Sequence, residues 1–263
     1  MSKIAVVTGA SSGIGRCTAE ALRDMGCIVY DLSRRNIPMD KVRHIKTDIT
    51  KEDDVTSAIK QIISDEGRID ILVNCAGFGI SGAVEFTATE EAKSQFEVNF
   101  FGAVTVTRAV LPYMREKRSG RIVNISSVAA VAHIPFQTYY SASKAAIESY
   151  TACLDNEVKA YGVRVTAVEP GDICTEFTGA RQKSFEGDEI YGGRISRSVA
   201  GMEKDEQKGM SPEVAGRYIA KIALKKSVKP VSAIGVSYKI LSVMCKTFPC
   251  KFRNFVVGML YAK

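Results

Sequence analysis

Lys3-Ile4-Ala5-Val6-Val7-Thr8-Gly9-Ala10-Ser11-Ser12-Gly13-Ile14-Gly15 stands near the start of the chain and decides its architecture. Lys3–Thr8 is a short run rich in β-branched residues, the composition of a buried parallel strand. The three glycines that follow permit a tight turn, and Arg16–Met25 then reads as a helix closed by Gly26. A glycine loop that ends a strand and opens a helix gathers free N–H groups and the positive end of the helix dipole at one point, which suits a pyrophosphate. The glycine spacing is G-x3-G-x-G, not the more familiar G-x-G-x-x-G.

The same alternation runs outward from this unit. Cys27–Leu32, Arg43–Lys46, Asp70–Val73, Arg121–Ile125 and Val163–Val168 read as further strands, the last stopped by Pro170-Gly171. Lys51–Asp65, Thr87–Lys117 and Thr138–Tyr161 read as helices, with a kink or break expected at Pro112. Strands alternating with helices imply an α/β fold, a doubly wound parallel sheet of Rossmann type with helices on both faces. All of 1–263 is expected to form one domain. Residues 172–210 are polar and interrupted, and are expected to be a lid over the site. Residues 236–263 form a basic tail that fits two short amphipathic helices broken at Pro249.

Composition narrows the class. The 263 residues carry 36 Lys+Arg, 29 Asp+Glu and a net charge of +7, with 46% hydrophobic residues, so the chain is globular rather than disordered. Val214–Lys263 holds ten Lys/Arg and no acidic residue, leaving 26 Lys/Arg against 29 Asp/Glu elsewhere. Such a tail meets anionic lipid or an acidic partner, or is a solvated rim; no nucleic-acid partner is expected. Seven cysteines, an odd number without Cys-x-x-Cys, and only two histidines argue against a metal site. Free, mostly buried thiols in a reducing compartment are expected. The longest apolar run near the end, Phe255–Ala262, is too short to span a bilayer, and the N-terminal apolar stretch is too short for a signal peptide. The expected setting is therefore cytoplasmic, with peripheral contact to an anionic membrane through the tail as an option.

Tyr140-Ser141-Ala142-Ser143-Lys144 places a phenol and an ammonium one helical turn apart on one face. A nearby cation favours phenolate and makes tyrosine usable as an acid or base. Ser127 lies 13 residues earlier at a strand end, Asn74-Cys75-Ala76-Gly77 ends another strand, and Asn99 lies on the following helix. With Thr-Gly-x-x-x-Gly-x-Gly and Pro170-Gly171, this ordered set resembles the short-chain dehydrogenase/reductase family. Motif by motif the resemblance covers about Lys3 to Thr175.

The resemblance implies an enzyme that interconverts a ketone and a secondary alcohol on an NADP(H) or NAD(H) cofactor. It implies Tyr140 as general acid/base, Lys144 as tyrosine modulator and ribose ligand, and Ser127 as the donor that steadies the substrate oxyanion. Asn99 would hold a water that links Lys144 to solvent, or would simply satisfy buried backbone groups. Ser126 and Tyr139 are rivals of Ser127 and Tyr140, but position 143 is Ser143, so Tyr139 lacks a lysine at i+4. The implied cofactor cradle takes Gly9, Ser11, Ser12, Gly13, Ile14 and Gly15 from the first loop. Asp48 and Ile49 are placed at the adenine, with Thr50 as a credible helix cap beside them. Asn74, Ala76 and Gly77 flank the ribose, Cys75 being a packing residue where the family carries a second Asn. Pro170, Gly171, Ile173 and Thr175 face the nicotinamide, with Cys174 as a space-filling thiol between them. The family's acidic position on the second strand falls on Ser33, followed by Arg34, with Arg35 as a spare. A carboxylate there would repel a 2′-phosphate, whereas an arginine receives it, so NADP(H) is the expected cofactor. Asp31 is expected to point elsewhere.

Phe78, His133, Phe136, Tyr139, Phe177, Phe185, Ile190 and Tyr191 are candidates to line an apolar substrate pocket or to serve as plain packing, and Arg181 is the lid's candidate for a substrate carboxylate. The leading expectation is reduction of a lipophilic, lipid- or steroid-like ketone. A 3-oxoacyl thioester reductase is the alternative, and a non-enzymatic NADP(H)-binding redox sensor is the alternative of another class. The expected assembly is a homodimer or homotetramer, and the tail is expected to cover the cleft or a subunit contact.

Overall fold

The computed structural model describes residues 2–261. Strand β1 (Ile4–Thr8) leads through the glycine loop into α1 (Gly13–Asp24), then β2 (Ile28–Ser33), β3 (Val42–Lys46) and α2 (Glu52–Glu66). Next come β4 (Ile71–Asn74), the two-residue β5 (Ile80–Ser81), α3 (Thr89–Phe96), a π-helical segment at Glu97–Gly102, and α4 (Ala103–Glu116). Strand β6 (Gly120–Ile125), the single turn α5 (Ala129–Ala132), α6 (Thr138–Val158) and β7 (Val163–Glu169) follow. The last part holds α7 (Phe177–Ala180), β8 (Gln182–Lys183), α8 (Arg194–Gln207), α9 (Pro212–Leu224), β9 (Val231–Ala233), α10 (Val236–Thr247) and α11 (Cys250–Tyr261).

Seven strands form one parallel sheet in the order β3-β2-β1-β4-β6-β7-β9. The chain leaves β1 toward β2 on one side and returns to β4 on the other, and open sheets of this kind bind ligands at such a switch point. Alternation along β1 divides the core. Ala5 and Val7 join α1 and α9 through Leu22, Ile219 and Ala220 on one face. Ile4 and Val6 join α2, α4 and α6 through Ile59, Val110 and Leu154 on the other.

Several elements lay outside the sequence reading: the single turns α5 and α7, helices α8 and α9, the seventh strand β9, and the small parallel pair β5–β8. The long helical stretch breaks at Glu97–Gly102, not at Pro112, which sits inside α4. Pro112 and Arg108, whose carbonyl loses its donor, are both exposed, so water replaces the missing hydrogen bond. Helix α2 begins at Glu52 with Lys51 at the cap position, so Thr50 is not the cap. The two tail helices meet at Phe248-Pro249, as the sequence indicates.

Residues 172–210 leave and rejoin the body at one place. Met210 N donates to Asp172 O (3.0 Å) and Cys174 N donates to Met210 O (3.0 Å), which ties the ends of the excursion together. Gln182 N donates to Gly79 O and Ser184 N to Ser81 O, which fastens its middle to the loop after β4.

Candidate active site

The carboxyl ends of β1, β2, β4, β6 and β7 open onto a cavity of about 1210 Å³. Its polar end is built by the glycine loop, Ser33, Arg34, Arg35, Asp48 and Ile49. Its other end is closed by Phe177, Met202, Leu241 and Tyr261 from the excursion and the tail. Ser127, Tyr140 and Lys144 lie on the same wall.

The glycine loop is shaped by contact as well as by conformation. Gly9 has φ +69°, and a Cβ there would come within 2.8 Å of Ala76 Cα, so the loop lies directly against the end of β4. Thr8 Oγ1 accepts from Cys75 N (3.0 Å) and Ala76 N (3.1 Å) and fixes that approach. Helix α1 starts after Ser12 with no side-chain cap, so its first N–H groups are left for an anion. The Ser11 and Ser12 hydroxyls instead accept from Arg35 Nη2 (3.3 and 3.4 Å). Arg35 is thus a second cation at the loop rather than a spare.

Asp31 is fully buried and its carboxylate is spoken for. Oδ1 accepts from Ala10 N (3.1 Å), and Oδ2 accepts from Ser33 Oγ (2.7 Å) and meets His44 Nδ1 (2.9 Å). Ser33 is thereby turned inward, and Arg34 and Arg35 are the charged groups at the end of β2 that line the cavity. Asp48 Oδ1 accepts from Thr50 N (3.1 Å) and Thr50 Oγ1 (2.8 Å). Burial works against its charge, but those bonds and the Arg34 guanidinium leave its carboxyl below the usual range.

Asn74 departs from the cofactor role expected for it. Its Nδ2 donates to Thr107 Oγ1 (3.0 Å) and Asn124 Oδ1 (2.9 Å), so it joins β4 to α4 and β6 and does not line the cavity. Asn99, on the π-helical segment, is buried; its Oδ1 accepts from Phe78 N (2.9 Å) and its Nδ2 donates to Phe78 O (3.0 Å) and Ser143 Oγ (3.2 Å). The asparagine therefore holds the loop after β4, and π segments of this kind recur at functional sites.

Ser127 lies close enough to Tyr140 to favour its ionised form, and Ala129 N donates to Ser127 Oγ (3.1 Å). Ser126 is committed elsewhere, to Lys144 O (3.1 Å) and Glu148 Oε1 (2.7 Å). Tyr139 does not line the cavity. Lys144 is buried; its Nζ donates to Ile125 O (2.9 Å) and lies 5.7 Å from the Tyr140 ring centroid. The expected lowering of the tyrosine is not what this geometry gives. Burial pushes Tyr140 up to about 12, against the pull of Ser127 and Arg181, and burial pushes Lys144 down to about 8. Both shifts have the same cause: an enclosed wall penalises either charge.

The substrate end differs from the sequence list. Phe78 and Phe177 line the cavity, and Phe177 packs 5.8 Å from the Tyr140 ring. Phe136 and Tyr191 pack on each other (5.7 Å), while Phe185 and Ile190 are half or more exposed. His133 is an exposed turn residue. Arg181 is buried, paired with Glu206 and set over Phe177 (5.6 Å), so it is not presented to a substrate carboxylate. Tyr238, Leu241 and Tyr261 reach this end from the tail, which the sequence places over the cleft or a subunit contact without singling out these three as pocket residues. Cys174 is exposed rather than space-filling, as are Cys153 and Cys250, so the thiols are less buried than expected. Burial pushes the Cys75 thiol up to about 12, which makes it a packing residue. Among the described residues no cluster suited to a metal occurs, and none of their helices is long and apolar enough to cross a membrane.

One titrating group lies just behind this wall. Glu148, one turn after Lys144, is raised to about 7 by burial and by the neighbouring Glu169. Its folded value exceeds the ordinary 4.5, so its contribution to stability is fully present below about 4.5 and is lost as pH rises through about 7. Glu148→Gln is therefore expected to raise Tm at pH 8 by roughly 2–4 °C and to leave it unchanged near pH 4.5. Thermal melts at the two pH values check this; an equal shift at both would place the effect outside Glu148 ionisation.

The short chain dehydrogenase family model matches residues 3–185. The chain is 41% identical over 264 residues to 3-ketodihydrosphingosine reductase of Bacteroides thetaiotaomicron, covering 99% of this chain and 98% of that one. A short-chain dehydrogenase from Streptomyces avermitilis superposes with a TM-score of 0.83 at 32% identity, over 92% of this chain and 91% of the other. A 3-ketoacyl-(acyl-carrier-protein) reductase from Brucella melitensis, solved with NADH, superposes at 0.75 and 25% identity, over 88% and 96%. Fold, motif order and these likenesses agree, and the chain belongs to the short-chain dehydrogenase/reductase family of oxidoreductases.

Proposed function

We propose that this oxidoreductase reduces a lipophilic ketone to a secondary alcohol with NADPH. The observation that carries the reading is the position of Ser127 and Tyr140 together on one cavity wall, with an uncapped glycine loop and two arginines at one end and Phe177, Met202, Leu241 and Tyr261 at the other. The residues present fit a dinucleotide: the uncapped start of α1 would take a pyrophosphate, and the glycine loop that presents it is held against the end of β4, where Gly9 leaves no room for a Cβ. Gly13, Ile14, Gly15, Ile49, Ala76, Gly77, Pro170, Gly171, Ile173 and Thr175 line the same cavity. The cofactor supplies the hydride.

The chain supplies position and the proton. Ser127 Oγ and Tyr140 Oη converge on the carbonyl oxygen and share the charge that develops there. Tyr140, held protonated by its surroundings, donates the proton from Oη, which favours reduction as the direction. Lys144, charged below about pH 8, holds the ribose and steadies the phenolate left behind. Asn99 keeps the Phe78 loop, and with it the substrate side of the wall, in place. The excursion 172–210 acts as the lid, with Phe177 against the reacting centre.

A long-chain keto-lipid reading is favoured over the acyl-thioester one by the apolar closure from the lid and tail and by the likeness to the Bacteroides reductase. The test is a panel of 3-ketodihydrosphingosine, other hydrophobic ketones and an acetoacetyl thioester, read by NADPH consumption. The lipid ketone is expected to exceed the thioester in kcat/KM by about tenfold or more, since each buried methylene is worth roughly threefold or more. Preference for the thioester overturns the substrate class, and no turnover with any of them returns the redox-sensor alternative.

A further inference from the structure

The α10–α11 pair has two unlike faces. The inner one is fastened to the catalytic body. Tyr238 Oη donates to Asp172 Oδ2 (2.5 Å), Ser242 Oγ to Glu169 Oε2 (2.6 Å), and Lys246 Nζ pairs with Glu169 Oε1 (2.5 Å). The Tyr238 ring lies flush on Gly171, where a Cβ would come within 2.4 Å of it. Tyr238, Leu241 and Tyr261 look into the cavity from this side.

The outer face is apolar and uncovered. Among the described residues, eight of the sixteen large hydrophobic side chains that are exposed lie on this tail. Val236, Ile240 and Val243 repeat at helical spacing along α10, and Phe252, Phe255 and Met259 along α11. Ile240 is 58% exposed and Phe255 62%. The bonds on the inner face hold this surface outward, so it cannot turn in to bury itself. A contiguous apolar face of this kind marks an interaction surface.

Charge chooses the occupant. The exposed polar residues interleaved with this face include Lys239, Lys246 and Lys251, and no acidic residue occurs from Val214 to the end. A second copy laid on the same face would set lysines against lysines with no carboxylate in the segment to answer them. An anionic bilayer answers both features, with acyl chains for the apolar residues and negative headgroups for the lysines. Each helix has 12 residues, about 18 Å, so the pair lies along the boundary and does not span it.

We propose that the outer face of α10–α11 docks on an anionic lipid bilayer, seating the substrate end of the cavity directly behind the docked surface. Docking stands on the surface itself; delivery of a membrane-borne ketone through it rests on the lipid-ketone reading above. Lys251 reaches the headgroups directly and Lys239 from its seat over the Tyr218 ring (5.6 Å), because Lys246 is shared with Glu169 and Arg253 Nη1 donates to Cys245 O (3.2 Å). Arg253 therefore braces the pair rather than reaching outward.

Vesicle flotation of the full chain tests this. With phosphatidylglycerol-rich vesicles at low salt the protein is expected to float. Pure phosphatidylcholine vesicles or high salt are expected to cut the bound fraction by about tenfold or more. Ile240→Glu with Phe255→Glu should abolish flotation on either lipid, and Lys239→Glu with Lys251→Glu should abolish the preference for the anionic one. Turnover of a short water-soluble ketone, unchanged in both variants, shows that the fold is intact. Absence of wild-type flotation overturns the proposal, as does flotation that survives Ile240→Glu with Phe255→Glu. If wild-type protein fails to float and light scattering shows that this variant splits a larger assembly, the face is a contact between copies. Should no ketone turn over, circular dichroism replaces turnover as the fold control, and flotation still decides docking while the functional reading fails separately.

Discussion

Tyr140→Phe is expected to lower kcat for ketone reduction by about 10²–10⁴-fold, the range typical of a lost general acid. The substitution removes one oxygen and little else. The ring keeps its packing at 5.8 Å from Phe177 and its place on α6, so the substrate wall is retained. Ser127 keeps the bond from Ala129 N and remains able to meet the carbonyl oxygen. Dinucleotide affinity should therefore change by less than about threefold, because binding rests on the glycine loop and Lys144 rather than on the phenol. Stopped-flow turnover and a fluorescence titration of the cofactor separate the two quantities. A variant with more than about a tenth of the original kcat would remove Tyr140 from the proton-donating role. The raised tyrosine adds a pH signature for the free enzyme: reduction should be flat through neutrality, then fall above about pH 8 as Lys144 loses its charge, with no loss from Tyr140 ionisation before about 12.

Much of this was legible in the residues, and the reasons are local. A β-branched run followed by glycines has few ways to fold, so β1, its loop and α1 follow from spacing alone. Tyr140 and Lys144 share a face because a helix puts i and i+4 together, and that requires no tertiary information. What depended on neighbours was not legible. Asn74 reads as a ribose neighbour by motif, but its amide is held by Thr107 and Asn124 on other elements. The sign of the Tyr140 shift depends on how far Lys144 is drawn to Ile125 O and on how enclosed both groups are. The pocket aromatics failed for the same reason: Phe136 and Tyr191 find each other across more than fifty residues, while Tyr238 and Tyr261 arrive from the tail. Strand β9 is only three residues long, too short for period-two alternation to register.

Arg34→Ala is expected to weaken NADPH by about 10–100-fold, the loss of a charge-assisted bond to phosphate, while NADH changes by less than about threefold. The end of β2 offers nothing acidic to hold a bare ribose diol, because the Asp31 carboxylate is already occupied by Ala10 N, Ser33 and His44. On the NADPH reading proposed above, selectivity falls to the two arginines, whose surroundings differ. Arg34 lines the cavity beside Asp48, whose carboxyl its charge helps keep ionised, and makes no bond to the glycine loop. Arg35 reaches Ser11 and Ser12 and so also braces the loop that receives the pyrophosphate. Arg35→Ala should therefore weaken both cofactors, NADPH more than NADH, whereas Arg34→Ala should discriminate sharply between them. Paired titrations of each variant with the two cofactors at two salt concentrations give four ratios. Equal weakening of both cofactors by Arg34→Ala would mean that its guanidinium does not read the 2′-phosphate. The discriminating charge would then lie on Arg35 alone, and the preference for NADPH would collapse only in that variant.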